Sequence, residues 1–196
     1  MSKGTITLII VGVVILILTG TTLTTYNGLV TTDEAVSTAW SNVQSQYQRR
    51  ADLIPNLVNT VKGYAKHEQG TLESVMAARA KATQLTVDAN SLTPEKMKQM
   101  QEAQGQLSQA LGRLMMISEK YPELKANEGF SELRAQLEGT ENRINESRRQ
   151  YNEIVKEYNI SVRKFPSNLV AGMFGFDKRT PFEAETGAEK APNVEF

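Results

Sequence analysis

The strongest constraint on this chain lies at its start. Residues 6–18 read ITLIIVGVVILIL without a charge, and residues 19–25 extend the uncharged run, mostly with threonine and glycine. At ~1.5 Å of rise per residue, a helix over residues 5–25 covers roughly 30 Å, about the hydrocarbon thickness of a bilayer. Threonine hydroxyls bond back to their own helix's carbonyls and are tolerated near an interface. Tyr26 stands where an interfacial aromatic belongs. A cleaved signal sequence also begins with a lysine ahead of an apolar run, but no A-x-A-like pair of small residues follows here; the exit reads TGTTLTTYNGL. The reading is an uncleaved, single-pass anchor. Lys3 and the terminal amine precede it, the next basic residue is Arg49, and the first charges beyond it are Asp33 and Glu34. The positive-inside bias therefore puts residues 1–4 in the cytoplasm and everything after the span outside.

Beyond the span, residues 26–166 carry four helical segments, and three of them show a seam. The first sets Val36, Trp40, Val43, Tyr47, Arg50, Ile54, Leu57, Val61 and Tyr64 at alternating spacings of four and three, the rhythm of left-handed helix packing. The third repeats it from Met97 to Tyr121, and the fourth from Leu133 through Ile144, Tyr151 and Ile154 to Tyr158. The second, over residues 70–85, is alanine-rich, with Leu72, Val75, Ala78 and Ala82 toward one side. Thr31-x-x-Glu34 reads as a capping box opening the part beyond the span. Thr93-Pro94-Glu95 reads as an N-cap with proline at N1, and Asn127 as the cap of the fourth helix. Pro55, inside the first helix, removes a backbone bond and is expected to kink or break it. Short loops make consecutive helices antiparallel neighbours, so the fold class is all-α: a transmembrane helix followed by an antiparallel four-helix bundle with long first and last helices.

The outer helices, over residues 32–67 and 127–165, reach ~50 Å or more, and the inner pair ~25–40 Å. The inner pair then covers only the distal part and leaves a two-helix stalk beside the membrane. The apolar surface of the fourth helix is richest there, at Ile154, Val155, Tyr158 and Val162. Neighbouring copies are expected to cover it. Residues 167–182 form an apolar membrane-proximal segment, whose Leu169, Phe174 and Phe176 extend that assembly surface or rest on lipid. Residues 183–196 are small and polar, the composition of a disordered tail.

These residues resemble the LemA family. The similarity runs from Tyr26-Asn27-x-Leu29 through Ala39-Trp40, the stretch RRADLIPNLV at residues 49–58, VKGY at 61–64 and His67-Glu68. It continues with EKYP-x-LKAN at 119–127, LEGTEN at 137–142, the pairs Tyr151-Asn152 and Tyr158-Asn159, FPSN at 165–168 and Gly175-Phe176. The resemblance implies a bacterial membrane protein with a transmembrane N-terminus, a long helical bundle and no established enzyme activity. Some members are described with the short N-terminus outside, opposite to the charge argument.

Lys+Arg and Asp+Glu each number 22, so no net positive charge is available to hold a nucleic-acid backbone. Cysteine is absent, which excludes disulfides, thiolate metal sites and a cysteine nucleophile. Arg50 falls on a seam and should meet an acid such as Glu141 or Glu138, fixing register, or build an anion or partner site with Arg49. His67-Glu68 is half of a metal or acid/base site, but His67 is the sole histidine and helix-end packing is the simpler reading. The seam tyrosines lack an evident base and read as core. No phosphate loop, nucleophile elbow or dinucleotide fingerprint is present. The expectation is a cofactor-free, non-enzymatic, homo-oligomeric scaffold of the bacterial inner membrane, with an unidentified envelope partner. Its alternative is an envelope enzyme using His67, Glu68 and the cluster Arg49, Arg50 and Asp52. Pro55 joins these residues as a register or interaction position.

Overall fold

The computed structural model describes residues 2–85 and 87–183, and among these every regular element is a helix. The first, α1 (Lys3–Tyr64), runs 62 residues without interruption, or ~93 Å on the helical rise. Its apolar start is not covered by the rest of the chain: Leu8 is 75% and Leu16 73% exposed. This is a helix long and apolar enough to cross a membrane.

The capping box expected at Thr31 does not open a new helix. Instead Thr31 donates its hydroxyl to the Asn27 carbonyl at 2.9 Å and Thr32 to that of Leu29 at 3.0 Å. A threonine hydroxyl can bond forward, as a cap, or back, within a continuing helix. Here Leu29 is already buried in the core, and continuation wins.

Pro55 is the second departure, since α1 passes through it unbroken. A proline there leaves the carbonyl four residues earlier, that of Ala51, without its helical donor. Arg79 of α2 (Gln69–Gln84) supplies the replacement: its Nε–H donates to the Ala51 carbonyl at 2.7 Å. Ala51 is 2% exposed, so water has little access to that oxygen. Arg79→Met is expected to cost about 1–3 kcal/mol, the range for stranding a buried acceptor. Pro55→Ala restores the helical N–H, so a double-mutant cycle should show the Arg79 substitution costing less in that background.

After α2, a 3-10 turn (Ala89–Ser91) leads to α3 (Pro94–Ile117), which begins as its sequence predicts: Thr93 caps it by accepting from the Lys96 amide at 3.3 Å. A short α4 (Pro122–Lys125) turns the chain into α5 (Glu128–Arg163), capped by Asn127, whose side chain accepts from the Phe130 amide at 2.9 Å. The same Asn127 donates to the Tyr64 hydroxyl. Moving back along α1, Arg50 meets Glu141, Trp40 meets Tyr151, and Asp33 meets Arg179 beyond the end of α5. Helix α6 (Ser167–Phe174) ends on Gly175, whose φ of +75° is the left-handed conformation that suits glycine. Residues 176–183 then run as an extended strap back along α5. The tail expected over residues 183–196 lies, beyond Glu183, outside the described residues.

The core divides into two clusters. The distal one joins Ile54, Leu57 and Val61 of α1 to Val75, Leu107, Leu114 and Phe130. The proximal one joins Val36, Trp40 and Val43 to Tyr151, Val155 and Tyr158. It also takes in Val87, Leu92, Met97, Val170, Ala171 and Phe182. The proximal region is therefore no bare two-helix stalk. The α2–α3 connection reaches down to it, and α6 with the strap closes the remaining side.

Candidate functional site

Asn152 and Asn159 lie seven residues apart on α5, so they share a face about 10.5 Å apart along the axis. In an extended strand, Arg179 and Phe182 are separated by about 10 Å. The two spacings match, and the contacts follow. Asn152 donates to the Phe182 carbonyl at 3.0 Å and accepts from its amide at 2.8 Å. Asn159 does the same with Arg179, at 2.9 Å and 2.8 Å. A primary amide carries a donor and an acceptor side by side, so each asparagine satisfies both polar groups of one strap residue. Tyr151 adds a bond from its hydroxyl to the Thr180 carbonyl at 2.9 Å. Burial pushes that hydroxyl up to about 12, so it remains a donor throughout the neutral range.

Two strap side chains anchor what the backbone clamps. Arg179 reaches both oxygens of Asp33, at 2.7 and 3.0 Å, and Asn90 at 2.7 Å. Burial opposes its charge, but the hydrogen bonds and attraction of Asp33 outweigh this and leave its pKa raised. Phe182 packs its ring 5.8 Å from Trp40 and 5.4 Å from Tyr151. Asn152→Ala combined with Asn159→Ala removes four backbone bonds without touching the helix core. At about 1 kcal/mol net per bond, the strap is expected to detach before the bundle melts. Hydrogen exchange at the Arg179 and Phe182 amides should become fast while that of α5 is retained.

The second polar site is centred on Arg50, between the two apolar clusters. The guanidinium is 2% exposed and donates to Glu141 at 2.6 Å and Ser108 at 2.9 Å. A further N–H meets Gln104, while Nε has no hydrogen-bond partner among the described residues. It forms the floor of an open groove of about 660 Å³ that also presents Gln101, Asn145 and Arg148. α1, α3 and α5 each contribute, so the pairing ties three helices at one level.

The other sequence candidates are not gathered. Arg49 is exposed, Asp52 accepts from Gln48 in its own helix, and His67 is exposed in the α1–α2 turn with Glu68 half-buried beside it. From Asp52 to the end of α1 is ~18 Å of helix, so His67 does not meet the Arg49/Asp52 cluster. Among the described residues, no group of three or more His, Asp or Glu is placed to hold a metal. Of the apolar set at the base, Val155, Tyr158 and Val162 are buried within the chain, and Ile154 and Phe176 are half-buried. Leu169 and Phe174 are exposed. The strap is not apparent from the sequence, which places no partner for the pairs Tyr151-Asn152 and Tyr158-Asn159. Their heptad spacing was the available signal, but their partner has no helical period. Asp33 and Arg179 also passed unnoticed as a pair, being 146 residues apart.

Residues 39–196 match the model of the LemA family. Magnetosome protein MamQ 2 of Paramagnetospirillum magneticum (strain ATCC 700264 / AMB-1) is 29% identical, over 89% of this chain and 70% of the relative. MamQ of Magnetospirillum gryphiswaldense is 28% identical over the same shares. Protein LemA of Metamycoplasma hominis is 26% identical over 74% of this chain and 63% of its own length. Neither the family description nor these names indicate a catalytic activity.

Proposed function

The chain belongs to the LemA family, and from that premise we propose that it is a non-catalytic scaffold which holds a helical bundle at a fixed stand-off from a membrane. The observation that carries this reading is the continuity of α1. One helix contains the apolar stretch and the core positions from Leu29 to Val61, with no flexible linker between them. A simple tether needs no such rigidity, because a polar linker would serve.

In this reading the outer part of α1, α2, α3 and α5 form an antiparallel four-helix bundle, supported by the opposed order of the α1–α5 pairings. Residues 5–25 make a single crossing of the bacterial inner membrane, with residues 1–4 in the cytoplasm and the bundle outside. Arg50, held by Glu141, Gln104 and Ser108, sets the register of three helices. Self-association of the rods belongs to the same proposal, because anchoring copies in parallel raises their local concentration. Cross-linking in native membranes should return multimers, and a solely monomeric band would remove that part.

The test separates rod from tether and from enzyme. Insertion of Gly-Ser-Gly-Ser after Gly28 breaks the continuity of α1 and leaves both ends intact. In cells lacking the native copy, the scaffold reading expects the insertion to abolish the complexes recovered by native-detergent purification. His67→Ala and Asp52→Asn should retain them. An insertion that leaves these complexes unchanged would reduce the protein to a tether.

A further inference from the structure

We propose that α6 is an interfacial helix, with Phe165, Leu169, Met173 and Phe174 seated in the headgroup region of the bilayer that α1 enters. The inference rests on the reading that α1 crosses a membrane. It adds a second, independent point of attachment on the same leaflet.

Three observations carry it. The first is exposure: Phe165 is 78%, Leu169 58% and Met173 76% exposed, while Val170 and Ala171, turned away from Leu169 and Met173 on α6, are buried, and Phe174 at the end of that inner side is still 52% exposed. Leu169 and Met173 are four residues apart within α6 and share one face of it, and Phe165 stands exposed in the turn that leads into the helix. The second is height. Tyr26 directly follows the apolar stretch, and its ring meets those of Phe174 and Phe176 edge-on, with centroids 4.8 and 5.7 Å away. The C-terminal end of α6 is thus fixed at the level where the span ends and the headgroups begin, the level that tyrosine favours.

The third observation is charge. Arg163 and Lys164 precede α6 and Lys178 follows it; all three are exposed, with Asp177 the only acid between residues 159 and 182. Cations flanking a short apolar face are the composition of a helix lying in an anionic headgroup layer. A second copy of the chain is the rival occupant of this stripe. The bilayer is already adjacent and supplies both the apolar layer and the phosphates.

Such seating would restrain rotation and tilt of the rod, which a single span does not. The native chain has no cysteine, so single labels can be placed cleanly. The full chain is reconstituted in vesicles of phosphatidylcholine and phosphatidylglycerol, with the environment-sensitive fluorophore NBD at Leu169→Cys, Met173→Cys, Leu8→Cys or Arg113→Cys. Lipids carrying a shallow nitroxide are expected to quench emission at 169 and 173, and aqueous iodide to quench it at 113. Iodide quenching at 169 and 173 as strong as at 113, with Leu8 protected, would overturn the proposal and leave the span reading intact. Iodide reaching Leu8 would instead overturn the span reading and this inference with it. Self-quenching at 169 that grows with the protein-to-lipid ratio, without lipid quenching, would assign the stripe to a second copy and also overturn it.

Discussion

Trp40→Ala is expected to destabilise the protein by about 3–5 kcal/mol, the range for emptying a large aromatic site in a core. The indole is 1% exposed and packs 5.4 Å from Tyr151 and 5.8 Å from Phe182. Its Nε1–H also donates to the Val87 carbonyl at 2.8 Å. α1, α5, the α2–α3 connection and the strap all converge on this ring, so no single neighbour can relax to fill the void. Trp40→Phe should cost much less. The Val87 carbonyl keeps the Gln44 side chain as a donor at 2.8 Å, so no acceptor is stranded, and most of the apolar volume remains. Urea unfolding followed by circular dichroism is the appropriate assay, because Trp40 is the only tryptophan and its fluorescence is lost in both variants. An alanine variant within about 1 kcal/mol of the parent would mean that the proximal cluster contributes little.

The second large effect is an asymmetry within one ion pair. Glu141→Ala leaves the guanidinium of Arg50 buried with only neutral partners, whereas Arg50→Met removes the buried charge itself. Breaking a fully buried pair from one side costs about 3–5 kcal/mol. The Glu141 side chain is 44% exposed, so water in the groove offsets part of the loss and about 2 kcal/mol is the expected cost. Arg50→Met should be neutral or slightly stabilising, since Glu141 can turn to solvent and the thioether continues the apolar seam. If register is what Arg50 supplies, its loss should appear as doubled or broadened amide resonances around Gln104 and Ile144. Equal destabilisation by the two substitutions would make Arg50 a stability element instead.

The helices of this protein are largely legible in its sequence. The seam is buried from Val36 through Trp40, Val43, Tyr47, Arg50, Ile54 and Leu57 to Val61, but its last member, Tyr64, is 41% exposed at the end of α1, and Arg50 meets one of the two acids that burial physics required. Local signals failed where a tertiary contact overrode them. Thr31 can cap a helix or continue one, and the burial of Leu29 decides between the two. Pro55 removes a hydrogen bond, and Arg79 restores a donor from another helix, a compensation that no window around residue 55 contains. The strap was least legible. Its clamp depends on a coincidence of rise between helix and extended chain, and its sequence has neither periodicity nor strong hydrophobicity. Surplus apolar surface on α5 was expected to be covered by other copies. Val155, Tyr158 and Val162 are covered instead by the chain's own α1, α6 and strap.

The central claim is that the apolar stretch and the bundle are parts of one stiff helix. Double electron–electron resonance between nitroxides at Thr24→Cys and Gln48→Cys, both exposed on α1, tests it in lipid nanodiscs. A continuous helix predicts a single narrow distance distribution near 36 Å, allowing for label length. A broad or two-component distribution would place a joint between membrane and bundle, and would contradict the account.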